Sequence, residues 1–213
     1  MKIEKFAAID IGSNAIRLLI SNVIIKKGFP IKFIKSSIVR VPVRLGQESF
    51  TIGEISSKNK KKIIQTIRAF KHIIKVNEVK SSLAFATSAL REANNSKEII
   101  QEVKKKTKIK IEIIDGRKEA KIISLNNIFE FLNKNRTFIY VDVGGGSTEF
   151  SIILNGKRKK SKSFKIGTVR MINKITSEDV WDQIRIWIKS NINIGQQSKI
   201  ALIGSGGNIN KIF

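Results

Sequence analysis

The chain has 213 residues, 41% of them hydrophobic, with no cysteine, one histidine and two prolines; that suffices for one large domain or two small ones and excludes disulfides, thiolate metal sites and a cysteine nucleophile. Lys and Arg number 41 against 17 Asp and Glu, a net charge of +24, which attracts polyanions through long-range fields and counterion release; a base-composition bias toward lysine, isoleucine and asparagine would produce the same excess. No apolar run reaches the roughly 18 residues of a membrane helix, and Asp10 interrupts the first one, which argues against a signal peptide and for a cytoplasmic protein with no membrane partner.

The first predicted elements lie in "AAIDIGSNAIRLLI", Ala7 to Ile20: a short apolar strand ending in aspartate, a small-residue turn and a second strand. Arg17 to Val23 and Ile31 to Arg40 continue as strands, with Gly28 and Pro30 marking their connection, so three adjacent antiparallel strands are expected. Ile63, Ile67, Phe70 and Ile74 then recur at helical spacing within 55–76, with Lys60 to Lys62 on the solvated face. Strand Ser82 to Thr87, a helix from Ser96, strand Ile109 to Ile114 and a helix from about Arg117 to Leu132, its apolar face at Ile122, Leu125 and Phe129, predict a parallel extension of the sheet.

At Thr137 the plan restarts. "YVDVGGGSTEF", Tyr140 to Phe150, repeats strand, aspartate, turn and strand; strands Thr148 to Leu154 and Lys162 to Ile166, a helix Ser177 to Ser190 and strand Lys199 to Ile203 follow. The fold class is therefore α/β with two duplicated domains and mixed sheets, 1–135 and 136–213. Counted against the first copy by its periodic pattern, the second is expected to be C-terminally truncated by roughly 40 to 50 residues. Two such domains facing each other would present both turns to one cleft.

Each turn suits an anion, because glycine lets the backbone approach a bound group and successive N–H donors form a concavity for phosphate. The aspartate beside each turn suggests a divalent cation bridging carboxylate and phosphate. Taken singly, either stretch reads equally well as a hairpin with glycines at its bend; the repetition favours the ligand.

Four stretches in this order, "IDIGSNAIRLLI", "FATSALREANN", "IEIIDGRKEAKII" and "VDVGGGSTEFSI", resemble the exopolyphosphatase and guanosine pentaphosphate phosphatase family, within the superfamily of actin, sugar kinases and heat-shock ATPases; "SFKIGTVRM" and "ALIGSGGNINKI" fit its later pattern. The resemblance implies actin-like (ribonuclease H-like) domains and a metal-assisted hydrolase acting on the terminal phosphate of inorganic polyphosphate or the 5′-phosphate of guanosine pentaphosphate, with a homodimer left open. It implies that Ser13, Asn14, Arg17, Arg91, Gly144, Gly145, Gly146, Ser147 and Thr148 hold phosphate. It further implies that Asp142 and Glu149, joined by Asp10, lie near magnesium, and that Glu119 activates water.

The residues themselves agree with that chemistry. Hydrolysis of a phosphoanhydride needs positive charge on non-bridging oxygens, a metal and an oriented water; arginines, amide-rich turns and carboxylates are all present. Without cysteine, and with His72 in a lysine-rich helix, direct attack by water is favoured over a phosphoenzyme. One departure stands out: Lys118 occupies the position where the family usually has an acid, and Arg117 and Lys121 add further cations, which would make Glu119 a poorer base. Glu119 also reads as an acidic residue favoured near a helix N-terminus, and Asp115 as a cap. Trp181 and Trp187 read as packing residues, and Gly204 to Asn208 as a third phosphate turn or a plain one. The competing function is a catalytically weak or inactive polyanion-binding remnant; a superfamily kinase or chaperone would need a full adenosine pocket and is the least favoured reading, and no basic and aromatic interleaving supports nucleic acid.

Overall fold

The structure, a computed structural model, describes residues 1–124, 132–133, 136–192 and 200–207. Its contacts gather into two units, Met1–Ile114 and Asp115–Phe213.

In the first unit, β1 (Lys2–Ile11) pairs antiparallel with β2 (Ile16–Ile25), and β2 with β3 (Lys32–Val41). Facing residues of an antiparallel ladder share a face, so Ala7, Ile9 and Ile11 lie with Ile20, Leu18 and Ile16, and all six are buried. β4 (Ser81–Ala86) and β5 (Ile111–Ile113) extend the sheet in parallel, in the order β3-β2-β1-β4-β5. The predicted antiparallel trio and parallel extension are both present.

Ile63, Ile67 and Phe70 form the buried stripe of α2 (Ser57–Val76), where β-branched and aromatic side chains at helical spacing remove apolar surface from water. Ser56 caps it, its Oγ accepting from the Asn59 amide at 3.2 Å. Glu48 of α1 (Leu45–Thr51) accepts from the Ser56 amide at 2.9 Å and the Ser56 hydroxyl at 2.8 Å. α3 (Ser88–Glu92) follows β4, and α4 (Ser96–Thr107) packs on α2 through the buried Ile99 and Val103.

The second unit opens with α5 (Gly116–Ser124), capped by Asp115, whose Oδ1 accepts from the Lys118 amide at 2.7 Å. β6 (Thr137–Val143), β7 (Thr148–Leu154) and β8 (Lys157–Phe164) form an antiparallel trio, and β9 (Ile200–Gly206) joins β6 in parallel, in the order β8-β7-β6-β9. That order matches the first four strands of the other sheet. Phe138, Tyr140 and Ile153 are buried on one face with Leu132, Ala201 and Ile203 against them. On the other, Phe164 and Ile166 pack with Val180 and Ile184 of α7 (Val180–Asn191), while Phe150 and Trp187 meet edge to face at 6.4 Å. α6 (Thr168–Ile172) lies between β8 and α7 in the chain.

Several elements differ from the sequence reading. Helices α1, α3 and α6 run only five to seven residues, too short to display a 3.6-residue period. β8 starts at Lys157 rather than Lys162, because "KRKK" has no apolar alternation to mark it. α7 starts at Val180 rather than Ser177. α5 packs on β7 and β8 and so belongs with the second sheet, whereas the sequence boundary after residue 135 assigned it to the first. Leu125 and Phe129, expected on the apolar face of that helix, lie outside the described residues, as do Lys199 and Asn208. No described helix is long and apolar enough to cross a membrane.

Candidate active site

The two hairpin turns share one geometry. Ile11 faces Ile16 and Val143 faces Thr148 across their ladders, and each four-residue turn closes with a backbone bond, Gly12 N–H to Ala15 O at 3.1 Å and Gly144 N–H to Ser147 O at 2.9 Å. The helix after the third strand then ties the turn's carbonyls from below. In the first unit the amides of Arg44 and Gly46 donate to Asn14 O at 2.9 Å and Ser13 O at 2.7 Å. In the second, the amides of Thr168 and Val169 donate to Gly144 O at 3.1 Å and Gly145 O at 2.8 Å, and the buried Arg170 donates from Nε to Gly146 O at 2.6 Å.

While the second turn's carbonyls are held, the amides of Gly145, Gly146 and Ser147 donate to no protein group among the described residues. Consecutive free donors in a rigid concavity form an anion site. Gly167 makes the tie possible, since a Cβ there would lie 2.5 Å from Gly145 O and 2.8 Å from Gly146 N. Thr148 Oγ1 donates to Ile166 O at 2.7 Å and anchors the turn's far end. In the first turn, Ser13 is buried and its hydroxyl shares a 2.9 Å hydrogen bond with Ser88 of α3, while Asn14 is exposed.

The acidic residues separate the two copies. Asp10 faces Arg17, and the two form a half-exposed ion pair at 3.3 Å. At the matching position Asp142 faces Glu149, so one ladder rung carries two carboxylates. Each is oriented by a serine. Ser205 of β9 donates to Asp142 Oδ1 at 2.6 Å and accepts from the Tyr140 hydroxyl at 2.8 Å, and Ser163 of β8 donates to Glu149 Oε1 at 2.7 Å. Burial pushes the Tyr140 hydroxyl above its usual range, and the Asp142 charge adds to the rise against the opposing Ser205 bond. Glu149 is only 3% exposed.

Among the described residues no three acidic, histidine or cysteine side chains gather closely enough to hold a metal ion by themselves. Magnesium does not demand this, since it is held by one or two carboxylates and completes its shell with water and substrate phosphate. The paired Asp142 and Glu149, both hard oxygen donors one rung before the turn, fit such an ion.

Glu119 sits half-buried in the first turn of α5, its amide donating to Asp115 O at 2.9 Å, with Arg117 and Lys118 exposed beside it. Arg91 of α3 donates from Nη1 to Ile114 O at 2.8 Å. Asp115 is the cap that its position suggested, and His72 is exposed on α2. Gly204 to Gly206 form the end of β9 rather than a free turn; Gly206 has φ +120° and approaches Val143 O so closely that a Cβ would lie 2.4 Å away. Sequence reasoning missed Arg170, Ser205, Ser163 and Ser88 as supports of the site. The resemblance of "SFKIGTVRM" was the one signal near Arg170, and the serines pair with residues 14 to 75 positions away.

A model of the Ppx/GppA phosphatase family matches residues 25–187. The chain belongs to the Ppx/GppA phosphatase family. Among relatives, it is 34% identical to a bifunctional 3-dehydroquinate synthase/phosphatase of Fusobacterium nucleatum, covering 94% of this chain and 32% of that protein. It is 26% identical to exopolyphosphatase 1 of Mycobacterium leprae, covering 89% of this chain and 56% of that protein. The chain thus spans about a third to just over half of these relatives. Among solved structures, the Aquifex aeolicus member of the Ppx/GppA family aligns with a TM-score of 0.74 at 27% identity, over 98% of this chain and 68% of that one. An exopolyphosphatase from Cytophaga hutchinsonii shares the fold with a TM-score of 0.78 at 24% identity, over 98% of this chain and 69% of that one.

Proposed function

We propose that the chain is a phosphohydrolase that removes the terminal phosphate of inorganic polyphosphate or the 5′-phosphate of guanosine pentaphosphate. The observation that carries this reading is the second turn, where three amides that donate to no protein group among the described residues follow the Asp142 and Glu149 rung. The amides of Gly145, Gly146 and Ser147 bind non-bridging phosphate oxygens, and Thr148 fixes the turn that presents them. Within the first unit, Ser13, Asn14, Arg17 and Arg91 are candidate phosphate donors of their own turn, Arg17 while paired with Asp10. Asp142 and Glu149 would hold magnesium, which when bound draws charge off the phosphate oxygens.

Glu119 accepts a proton from water as the water oxygen bonds to the terminal phosphorus and the anhydride P–O bond breaks, the electron pair leaving on the bridging oxygen of the shortened polyphosphate or guanosine tetraphosphate. The half-buried position of its carboxylate supports this role. Arg117, Lys118 and Lys121 oppose it by lowering the strength of a neighbouring base, and they favour the second reading, a polyanion binder that no longer hydrolyses.

Phosphate release by the 213-residue chain, measured on polyphosphate and on guanosine pentaphosphate with magnesium and with chelator, separates the two. We expect metal-dependent release that falls on the order of 10²- to 10⁴-fold in Glu119→Gln, the usual contribution of a general base, with binding retained. Salt-sensitive binding without release would establish the second reading, and equal activity in the variant would remove Glu119 from the reaction.

A further inference from the structure

Beside the acidic pair, the edge of the second sheet carries a concentration of charge that the reaction leaves unused. β8 reads "KRKKSKSF", five basic residues in eight, against 41 in 213 for the chain. The matching edge of the first sheet is an internal control on composition: β3, "KFIKSSIVRV", carries three in ten and exposes Phe33, Ile34 and Ile38 instead. A base-composition bias acting uniformly does not produce that contrast. Lysines on an edge strand discourage strand addition, but a guard needs no cavity.

Here there is one. A cleft with room for about 440 Å³ opens at the β8 edge, lined by Asp115, Gly116, Arg117, Ser161, Lys162 and Ser163, with Trp187 on its far wall. Two cations line it, Arg117 at the start of α5 and Lys162 of β8, and the ladder register places the other β8 cations on either face of the edge strand. Lys160 and Lys162 face Ile152 and Phe150 on the α7 side, while Arg158 faces Ile153 on the α5 side and donates to Ser161 Oγ at 3.1 Å. Lys162 Nζ stands 5.0 Å over the Phe164 ring.

Gly116 brings the start of α5 against Ser163, where a Cβ would lie 2.4 Å from the serine Cβ. Asp115 caps the Lys118 amide, and the amides of Gly116 and Arg117 donate to no protein group among the described residues. None of Arg117, Lys157, Arg158, Lys159, Lys160 or Lys162 has an acidic partner among them either. The cleft adjoins the proposed site through Ser163, which lines it and donates to Glu149 at 2.7 Å.

We propose that the β8 edge and its cleft form an anchoring subsite for the body of an extended inorganic polyphosphate, and that the chain therefore prefers long polyphosphate to guanosine pentaphosphate. This rests on the phosphohydrolase reading above. A linear polyanion presents charge at every repeat and matches a strand of about 23 Å, eight residues at the usual rise, bearing cations along its length. Guanosine pentaphosphate concentrates its charge at two short ends and would fill only the cleft.

The test measures dissociation constants of long-chain polyphosphate and of tripolyphosphate for the full chain over a range of salt. Three proteins are compared: the unaltered chain, the double variant Lys160→Gln with Lys162→Gln, and the matched variant Lys32→Gln with Lys35→Gln on β3. We expect the unaltered chain to bind the long polymer more tightly than tripolyphosphate. The β8 variant should lose roughly tenfold of long-chain affinity with a shallower salt slope, as expected when phosphate-neutralising lysines are removed, and the β3 variant should not.

Equal losses in both variants would reduce the effect to net charge and overturn the subsite, as would no loss in either. Equal displacement of the polymer by single-stranded RNA would make the edge a general polyanion surface and overturn it too. Binding and hydrolysis of tripolyphosphate with no preference for length would sink the subsite alone, whereas failure to bind either phosphate would sink the phosphohydrolase reading beneath it. Far-ultraviolet circular dichroism and thermal melting verify that both variants fold.

Discussion

Replacing Gly167 by alanine tests whether the second turn is held rigid from below. The residue is extended, φ −170° and ψ 166°, so alanine meets no backbone strain there. Its Cβ instead meets backbone: Gly145 O at 2.5 Å, Gly145 C at 2.6 Å and Gly146 N at 2.8 Å, the first about 0.9 Å inside ordinary contact. No flexible side chain can give way, so α6 or the turn must move. Overpacking of this kind costs about 1–3 kcal/mol, which for a chain of this length lowers the melting temperature by roughly 2–12 °C. If the turn moves, its amides shift by nearly an ångström, and displacement on that scale lowers turnover on the order of 100-fold. Thermal melting and polyphosphate turnover, beside Gly207→Ala where a Cβ meets nothing within 4 Å, read the two effects separately. Unchanged melting and turnover would refute the packing argument; lowered melting with full turnover would show that α6 yields and that the turn's position does not govern the reaction.

Two further outcomes follow from side-chain bonds. Ser205→Ala removes both the donor to Asp142 and the acceptor of the Tyr140 hydroxyl, and should destabilise by about 1–3 kcal/mol because a largely buried hydroxyl loses its partner. Adding Tyr140→Phe should restore most of that loss in denaturant unfolding, and an additive double variant would disprove the coupling. For Glu48, burial pushes the carboxyl upward, but the Ser56 amide and hydroxyl, with Asn59 and Lys62, outweigh it and leave it below the usual glutamate value. A lowered folded value means stabilisation that is present above pH 4.5 and is lost as pH falls through that lower value. Ser56→Ala should therefore flatten this part of the acid limb and cost about 1 kcal/mol at neutral pH through the lost cap; an unaltered slope would reject the assignment.

Much of the architecture was legible because it is local. The stripe of Ile63, Ile67 and Phe70 marks α2, and the repeated aspartate, turn and strand mark both hairpins, since each signal completes itself within a few residues. What escaped has long-range or very short-range causes. The partnership of α5 with β7 and β8 depends on Gly116 fitting against Ser163, which no periodicity announces. The first part of β8, before Lys162, was hidden by its lysines, which erase the alternation that defines a half-buried strand. In the candidate site, the glycines and carboxylates were visible as types, whereas their supports, Ser205 under Asp142 and Arg170 under Gly146, appear only once distant strands and helices are adjacent.

The two hairpins differ most at the position facing the strand's aspartate, Arg17 in one and Glu149 in the other. One strand order and one turn closure thus carry rungs of different charge in the two copies. The copy with the arginine pairs its aspartate with a cation; the copy with the glutamate sets two carboxylates on one rung. Divergence after such a duplication needs no new backbone, because each rung of an antiparallel ladder is a ready-made two-residue site whose sign is set by one codon.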